Sequence, residues 1–182
     1  MVNESPKVTV HMVSSLDGFI SKKDNDISWM HSEDHYKKGI LLSEEYISDF
    51  LKSIDCYVMG SVTYEHALEF GWPYGDKAVF VLTSRNLKAH KGSVKFLNGH
   101  LETLVNELKL KYKNIWMVGG SKLTKESINL NLVDKIVITI APIILGEGTL
   151  FFNYISCQKK LELEDVMALK NGMVELTYTV VK

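Results

Sequence analysis

Cysteine is nearly absent from this chain: Cys56 and Cys157 are the only two in 182 residues, and they lie far apart. That excludes a disulfide framework and a cysteine-cluster metal site, and it predicts two buried free thiols, since both have apolar or aromatic neighbours. Charge of one sign is lacking too. Lys and Arg number 21 against 22 Asp and Glu, a formal charge of -1, so nothing in the overall field favours nucleic acid or a membrane surface. Arginine occurs once, as Arg85. No apolar run approaches the length of a bilayer span, and the opening MVNESPKVTV has no basic segment followed by an apolar one, so a cytoplasmic location is expected. Neither G-x-G-x-x-G nor G-x-x-x-x-G-K-[ST] occurs, so a nucleotide would have to be held without either fingerprint. Repeats, low-complexity stretches and linkers are missing as well. With 46% hydrophobic residues, a single domain over residues 1–182 with a substantial core is expected.

What is present is an alternation of short β-rich runs with helical patterns. Residues 8–13 read as a strand, 21–28 as loop, and Ser43 with Glu44 and Glu45 as a helix start, with Ser32 an earlier possible cap. Ile47, Phe50, Leu51 and Ile54 then fall on one helical face. Strands are expected at 56–59, 78–82, 94–97 and 115–118. Helices are expected at 62–70 and from Leu101 to about Tyr112, with one or two turns opening at Ser121. The last third carries a long β-branched run over 135–145, interrupted by Pro142, and two alternating runs joined across Asn171-Gly172. Helices separate the early strands and not the late ones, which predicts a mixed, mainly parallel sheet with an antiparallel C-terminal edge.

Three strands run directly into small or hydroxyl residues: Met59-Gly60-Ser61-Val62-Thr63, Leu82-Thr83-Ser84-Arg85 and Val118-Gly119-Gly120-Ser121-Lys122. In an open α/β sheet such strand ends share one edge, where glycine admits close approach and helix-start N–H groups attract phosphate. Each alone is more consistent with a plain turn, and only together do they point to phosphate. The paired glycines 119 and 120 predict an unusual backbone conformation there.

In this order, and together with Ser15-Leu16-Asp17-Gly18 and Pro142-Ile143-Ile144-Leu145-Gly146-Glu147-Gly148, these motifs resemble the dihydrofolate reductase superfamily, and within it the riboflavin-biosynthesis reductase domain (the RibD C-terminal type). The resemblance runs from about Lys7 to Val181. It implies a three-layer α/β fold and an NADPH site, with Gly60, Ser61 and Thr63 near the phosphates. It further implies Thr83, Ser84 and Arg85 near the adenosine 2′-phosphate, and Gly119, Gly120, Ser121 and Lys122 around the pyrophosphate. Relatives commonly carry Arg where this chain has Ser61, so Arg85 would supply more of any NADPH preference. The implied activity is reduction of a pteridine-like or aminopyrimidine-derived substrate, of the 5-amino-6-(5-phosphoribosylamino)uracil reductase kind. A true dihydrofolate reductase and a non-catalytic nucleotide-binding or dimeric scaffold are the alternatives. The phosphate of the first kind of substrate would need cations, for which Lys22, Lys23, Lys37 and Lys38 are available.

Asp17 and Glu65 are the candidate catalytic carboxylates, although Asp-Gly after a strand suits a turn and Glu65 in an early helical turn suits the dipole. Dihydrofolate reductases hold the pteridine with a first-helix carboxylate; Glu33, Asp34, Glu44, Glu45 and Asp49 are on offer here. His31 and His35 have helical spacing beside Glu33 and Asp34, but no further strong ligand accompanies them and no metal is expected. Phe70, Trp72 and Tyr74 around Pro73 suit a ring-binding wall, core packing or a dimer contact. The apolar run 136–145 with Phe151 and Phe152 predicts a homodimer.

Overall fold

The computed structural model describes residues 5–33 and 35–182. Ten strands and four helices follow one another as β1 (Lys7–Ser15), β2 (Phe19–Ser21), α1 (Glu44–Ser53), β3 (Cys56–Gly60), α2 (Ser61–Glu69), β4 (Ala78–Leu82), β5 (Val94–Leu97), α3 (Leu101–Lys109), β6 (Asn114–Gly119), α4 (Ser121–Asn129), β7 (Lys135–Ala141), β8 (Thr149–Leu150), β9 (Leu161–Ala168) and β10 (Val174–Val180). Eight strands form one sheet in the order β5-β4-β3-β6-β1-β7-β10-β9, while β2 and β8 pair separately. The first six of these strands are mutually parallel, and β10 and β9 close the sheet antiparallel. The expected mixed sheet with an antiparallel C-terminal edge is the one found.

Alternation along the strands divides the core. Val8, Val10, Ile115 and Met117 face one side and pack under Leu101, Leu104, Val105 and Leu108 of α3 with Leu123 and Ile128 of α4. Tyr57, Met59, Val79 and Val81 face the other, under Tyr64 and Ala67 of α2. Helices on both faces make the three layers.

Two local expectations need correction. Among the described residues no helix starts at Ser32: its hydroxyl instead donates to the Asn171 carbonyl (2.6 Å), and Ile40 bridges Leu169, so the described part of this segment lies along the β9–β10 turn. Cys56 is buried, and burial pushes its thiol up to about 12, but Cys157 is exposed in the irregular stretch before β9.

α1 begins where Ser43 accepts a hydrogen bond from the Tyr46 amide (3.1 Å). No side chain within the helix is fully buried, so its ends matter to its retention. At the far end Lys77 Nζ donates to the carbonyls of Leu51 (2.7 Å), Lys52 (2.8 Å) and Ile54, a cation at the negative end of the helix dipole. Lys77→Met is therefore expected to cost about 1–2 kcal/mol, a fall of roughly 3–6 °C in Tm by calorimetry.

Candidate functional site

The parallel pairing of β4, β3 and β6 brings the three sequence motifs to one edge of the sheet. Gly60 caps α2 and Gly120 caps α4, both in extended conformations and neither with a side-chain cap, and no acid occupies the first turn of either helix. The two helix starts lie side by side. A Cβ on Gly60 would stand 3.9 Å from the Gly119 carbonyl, and one on Gly120 would stand 3.7 Å from Thr63 Oγ1. The residue that demands glycine is Gly119, at φ +120°; Gly120 has a backbone any residue adopts. The Gly119–Gly120 peptide is cis.

Above these turns opens a cleft of about 860 Å³. Gly60, Ser61, Thr63, Gly120, Ser121 and Lys122 line one half. Ser121 is almost fully buried, and its Oγ has no hydrogen-bond partner among the described residues. The other half is apolar, built by Met12, Val13, Ile20, Ile27, Met30 and Phe70, with Pro73, Tyr74 and Trp116. Burial raises the Tyr74 phenol, so it offers a neutral hydroxyl. Of the aromatic cluster, Trp72 belongs to the core and donates to the Gly75 carbonyl (2.9 Å), whereas Phe70 and Tyr74 wall the cleft.

The remaining candidates lie outside the lining. Asp17 accepts from the Ser15 hydroxyl (2.6 Å) and from the amides of Leu145 (3.1 Å) and Gly146 (2.7 Å), which ties the β1–β2 turn to the loop after β7. The Ser15 hydroxyl, with those amides, holds its carboxyl below the ordinary Asp range. Glu65 and Arg85, considered separately in the sequence, are partners: Arg85 Nη1 and Nη2 donate to the two Glu65 oxygens at 2.9 and 2.6 Å. The Arg85 fork holds Glu65 below its usual range. Thr83 accepts from the Arg85 amide (3.0 Å), so Thr83, Ser84 and Arg85 form a tight turn at the end of β4. Lys22 pairs with Asp26 and Lys23 with Glu147. Asp34 is outside the described residues. Among the described residues no group of three His, Cys, Asp or Glu is placed to hold a metal ion.

One cluster was not found from the sequence. His11 of β1 lines the cleft; its Nε2 lies 3.3 Å from Glu175 Oε2 of β10, which also accepts from the Thr139 hydroxyl of β7 at 2.9 Å. The ring stacks on Trp116 (centroids 5.0 Å apart, 19° between planes), and Trp116 Nε1 donates to the His11 carbonyl (3.0 Å). The hydrogen bond to His11 holds the Glu175 carboxyl below the ordinary Glu range.

The fold has counterparts among known proteins. Residues 6–175 match the model of the RibD C-terminal domain. The chain belongs to that family. The Bacillus subtilis (strain 168) protein YwjB is 31% identical over 161 residues, covering 87% of this chain and 89% of its own. Among solved structures, a Shewanella sp. PV-4 protein named for riboflavin biosynthesis superposes with a TM-score of 0.81 at 25% identity, covering 97% of this chain and 99% of its own. The fold also extends to an Enterococcus faecalis dihydrofolate reductase complexed with NADP(H), at a TM-score of 0.60 and 21% identity over 97% of both chains. Among the described residues of this RibD C-terminal domain, no helix is long and apolar enough to cross a membrane.

Proposed function

We propose that the protein is an NADPH-dependent reductase of a small, flat, uncharged heterocycle of the pteridine or aminopyrimidine class. The observation that carries the reading is the pair of uncapped, glycine-started helices, α2 and α4, side by side at the carboxyl edge of the sheet, with the buried Ser121 hydroxyl unpartnered beside them. Free N–H groups, two helix dipoles, Thr63 and Lys122 suit a diphosphate, and no protein carboxylate competes in either first turn. When bound, NADPH supplies a hydride. The chain's own contribution is to anchor the phosphates and to shield the reacting carbon from water in the apolar half. The test is to follow loss of reduced-nicotinamide absorbance against a panel of pteridines and aminopyrimidines. Turnover is expected with NADPH; stoichiometric binding with no turnover across the panel would favour the scaffold alternative.

The phosphoribosyl form of the substrate has little to hold it, because among the described residues Lys122 is the only Lys or Arg of the lining. The dihydrofolate alternative has less support as well: Glu44, Glu45 and Asp49 are all on α1, and none lines the cleft. Methotrexate is accordingly expected to bind weakly.

Cofactor choice rests on Arg85. Its fork is occupied by Glu65, and both groups are partly exposed, so a 2′-phosphate would displace the carboxylate. Glu65→Gln is expected to tighten NADPH by a few-fold, and Arg85→Ala to weaken it about tenfold, with NADH changed little by either. Equal effects on the two cofactors, read from paired dissociation constants, would remove Arg85 from this role.

A second copy of the chain remains a proposal, on altered grounds. Ile136, Val137, Ala141 and Phe151 are buried within the monomer, whereas Ile144 and Phe152 of the stretch that suggested a dimer are exposed. Leu161, Leu163 and Val166 on β9, whose outer backbone edge is unpaired in the sheet, are also exposed. Sedimentation is expected to show a dimer, and Leu163→Lys a monomer.

A further inference from the structure

His11 stands between two spaces. It lines the cleft, and it also lines a separate cavity of about 370 Å³ between α1 and the sheet. Its ring is fixed from several sides: Trp116 lies against one face, Phe50 of α1 meets it edge-on (5.6 Å, 76°), and Glu175 with Thr139 fixes the Nε2 side. The other nitrogen, Nδ1, is buried and has no partner among the described residues. A cleft-lining ring oriented by a carboxylate through one nitrogen, with the other nitrogen unpartnered, is the arrangement of a proton donor. The pair uses residues that the phosphate-binding half does not, and it places an imidazole on the cleft lining, which Asp17 and Glu65 do not reach.

We propose that His11 is the catalytic proton donor of the reduction, presenting Nδ1–H to the heteroatom of a ring C=N bond, with Glu175 and Thr139 as positioning residues. The proposal rests on the reductase reading. The carbon of the C=N bond gains the hydride that the reduced nicotinamide supplies, and the π pair moves to nitrogen. That nitrogen takes the proton from His11, and the imidazolium becomes neutral imidazole. Water reprotonates the ring once product leaves. A ring nitrogen that accepts this proton in the reaction accepts a hydrogen bond from it at rest, so ligand binding and His11 protonation are linked. Other charged groups near the ring are Lys7, Asp165 and Lys135 on the cavity side, Lys135 being paired with Glu164 at 2.5 Å, and His66, Lys122 and Glu126 on the cleft side.

The experiment uses the full chain without cofactor and pterin as the probe, its fluorescence titrated between about pH 5.5 and 7.5, where imidazoles charge. Wild type is expected to bind pterin about tenfold more tightly at the acid end, and the His11 ring nitrogens, followed by NMR, to stay protonated to higher pH in the complex. His11→Phe keeps the stack on Trp116, so it is expected to bind pterin weakly and without pH dependence while NADPH affinity stays within about threefold. Should that variant fail to fold, His11→Gln is expected to give the same flat profile. Glu175→Gln is expected to keep the pH dependence but move it to lower pH, a shift that a packing role would not produce. An unchanged profile in the His11 variants, a flat profile in wild type, or no pterin binding overturns the proposal. In wild type, absence of the pterin effect with NADPH binding intact sinks the proton donor alone, whereas a wild type that does not bind NADPH sinks the reductase reading beneath it.

Discussion

Gly148→Ala is expected to lower stability by about 3–5 kcal/mol and Tm by roughly 10–15 °C, with ligand binding lost in the protein that remains folded. Gly148 has φ +152°, and an added Cβ would stand 2.1 Å from the Ser21 carbonyl oxygen and 3.2 Å from its carbon. Both conflicts are with backbone, so no rotamer change relieves them. The chain would have to withdraw from β2, parting Phe19 from Leu150 and Ser21 from Thr149, and loosening the hydrogen bond from the Phe151 amide to the Gly18 carbonyl (2.8 Å) that seats the buried Phe151. Ile20, Ser21 and Thr149 line the cleft, so the same movement opens its rim. Calorimetry of the purified variant checks this; a Tm within a few degrees of wild type would mean that the β2–β8 pair is not held as described.

Gly120→Asp is expected to weaken NADPH binding by more than about a hundredfold while Tm stays level or rises slightly. The backbone at Gly120 (φ −84°, ψ −159°) is open to any residue, and the nearest atom to a new Cβ is Thr63 Oγ1 at an ordinary 3.7 Å. Asp is a better helix N-cap than Gly by a few tenths of a kcal/mol, because its carboxylate accepts from the free N–H groups of the first turn. Those are the groups proposed to hold the diphosphate, and the carboxylate adds like-charge repulsion. Isothermal titration with NADPH reads the binding and thermal unfolding reads the fold. A variant that binds normally would move the diphosphate away from α4. Gly120→Ala, with no charge and no clash, is expected to retain most binding.

The parts of the fold legible in the sequence are those dictated by local pattern. The runs 78–82 and 94–97 coincide with β4 and β5, Ser43 does cap α1, and β7 stops at Ala141, the residue before Pro142. α4 is longer than expected because part of its buried face is made of Ser121, Thr124 and Ser127, small hydroxyl residues that read as polar although the helix is well seated. Two of the three strand-end motifs, those at Gly60 and Gly120, do line one half of the cleft, and each was visible because it is contiguous in sequence. The other half was not legible. His11 and Glu175 meet only because β1, β7 and β10 lie side by side, a pairing that alternation within any one strand does not specify. The partnership of Glu65 with Arg85 and the role of Asp17 as a tie to Leu145 and Gly146 are likewise contacts between distant segments, and they remove from the cleft lining the two carboxylates that local context had marked.

The central claim, a dinucleotide bound across the starts of α2 and α4, is tested most directly by titrating the wild-type protein with NADPH while following both tryptophan fluorescence and thermal unfolding. Trp116 lines the cleft, so saturable quenching at one equivalent per chain is expected. At a hundredfold excess of NADPH over its dissociation constant the stabilisation is about 2.7 kcal/mol, a rise of roughly 5–10 °C in Tm. A folded protein whose fluorescence and Tm are unchanged up to about millimolar NADPH, which bounds any binding at roughly 4 kcal/mol or weaker, would contradict the claim.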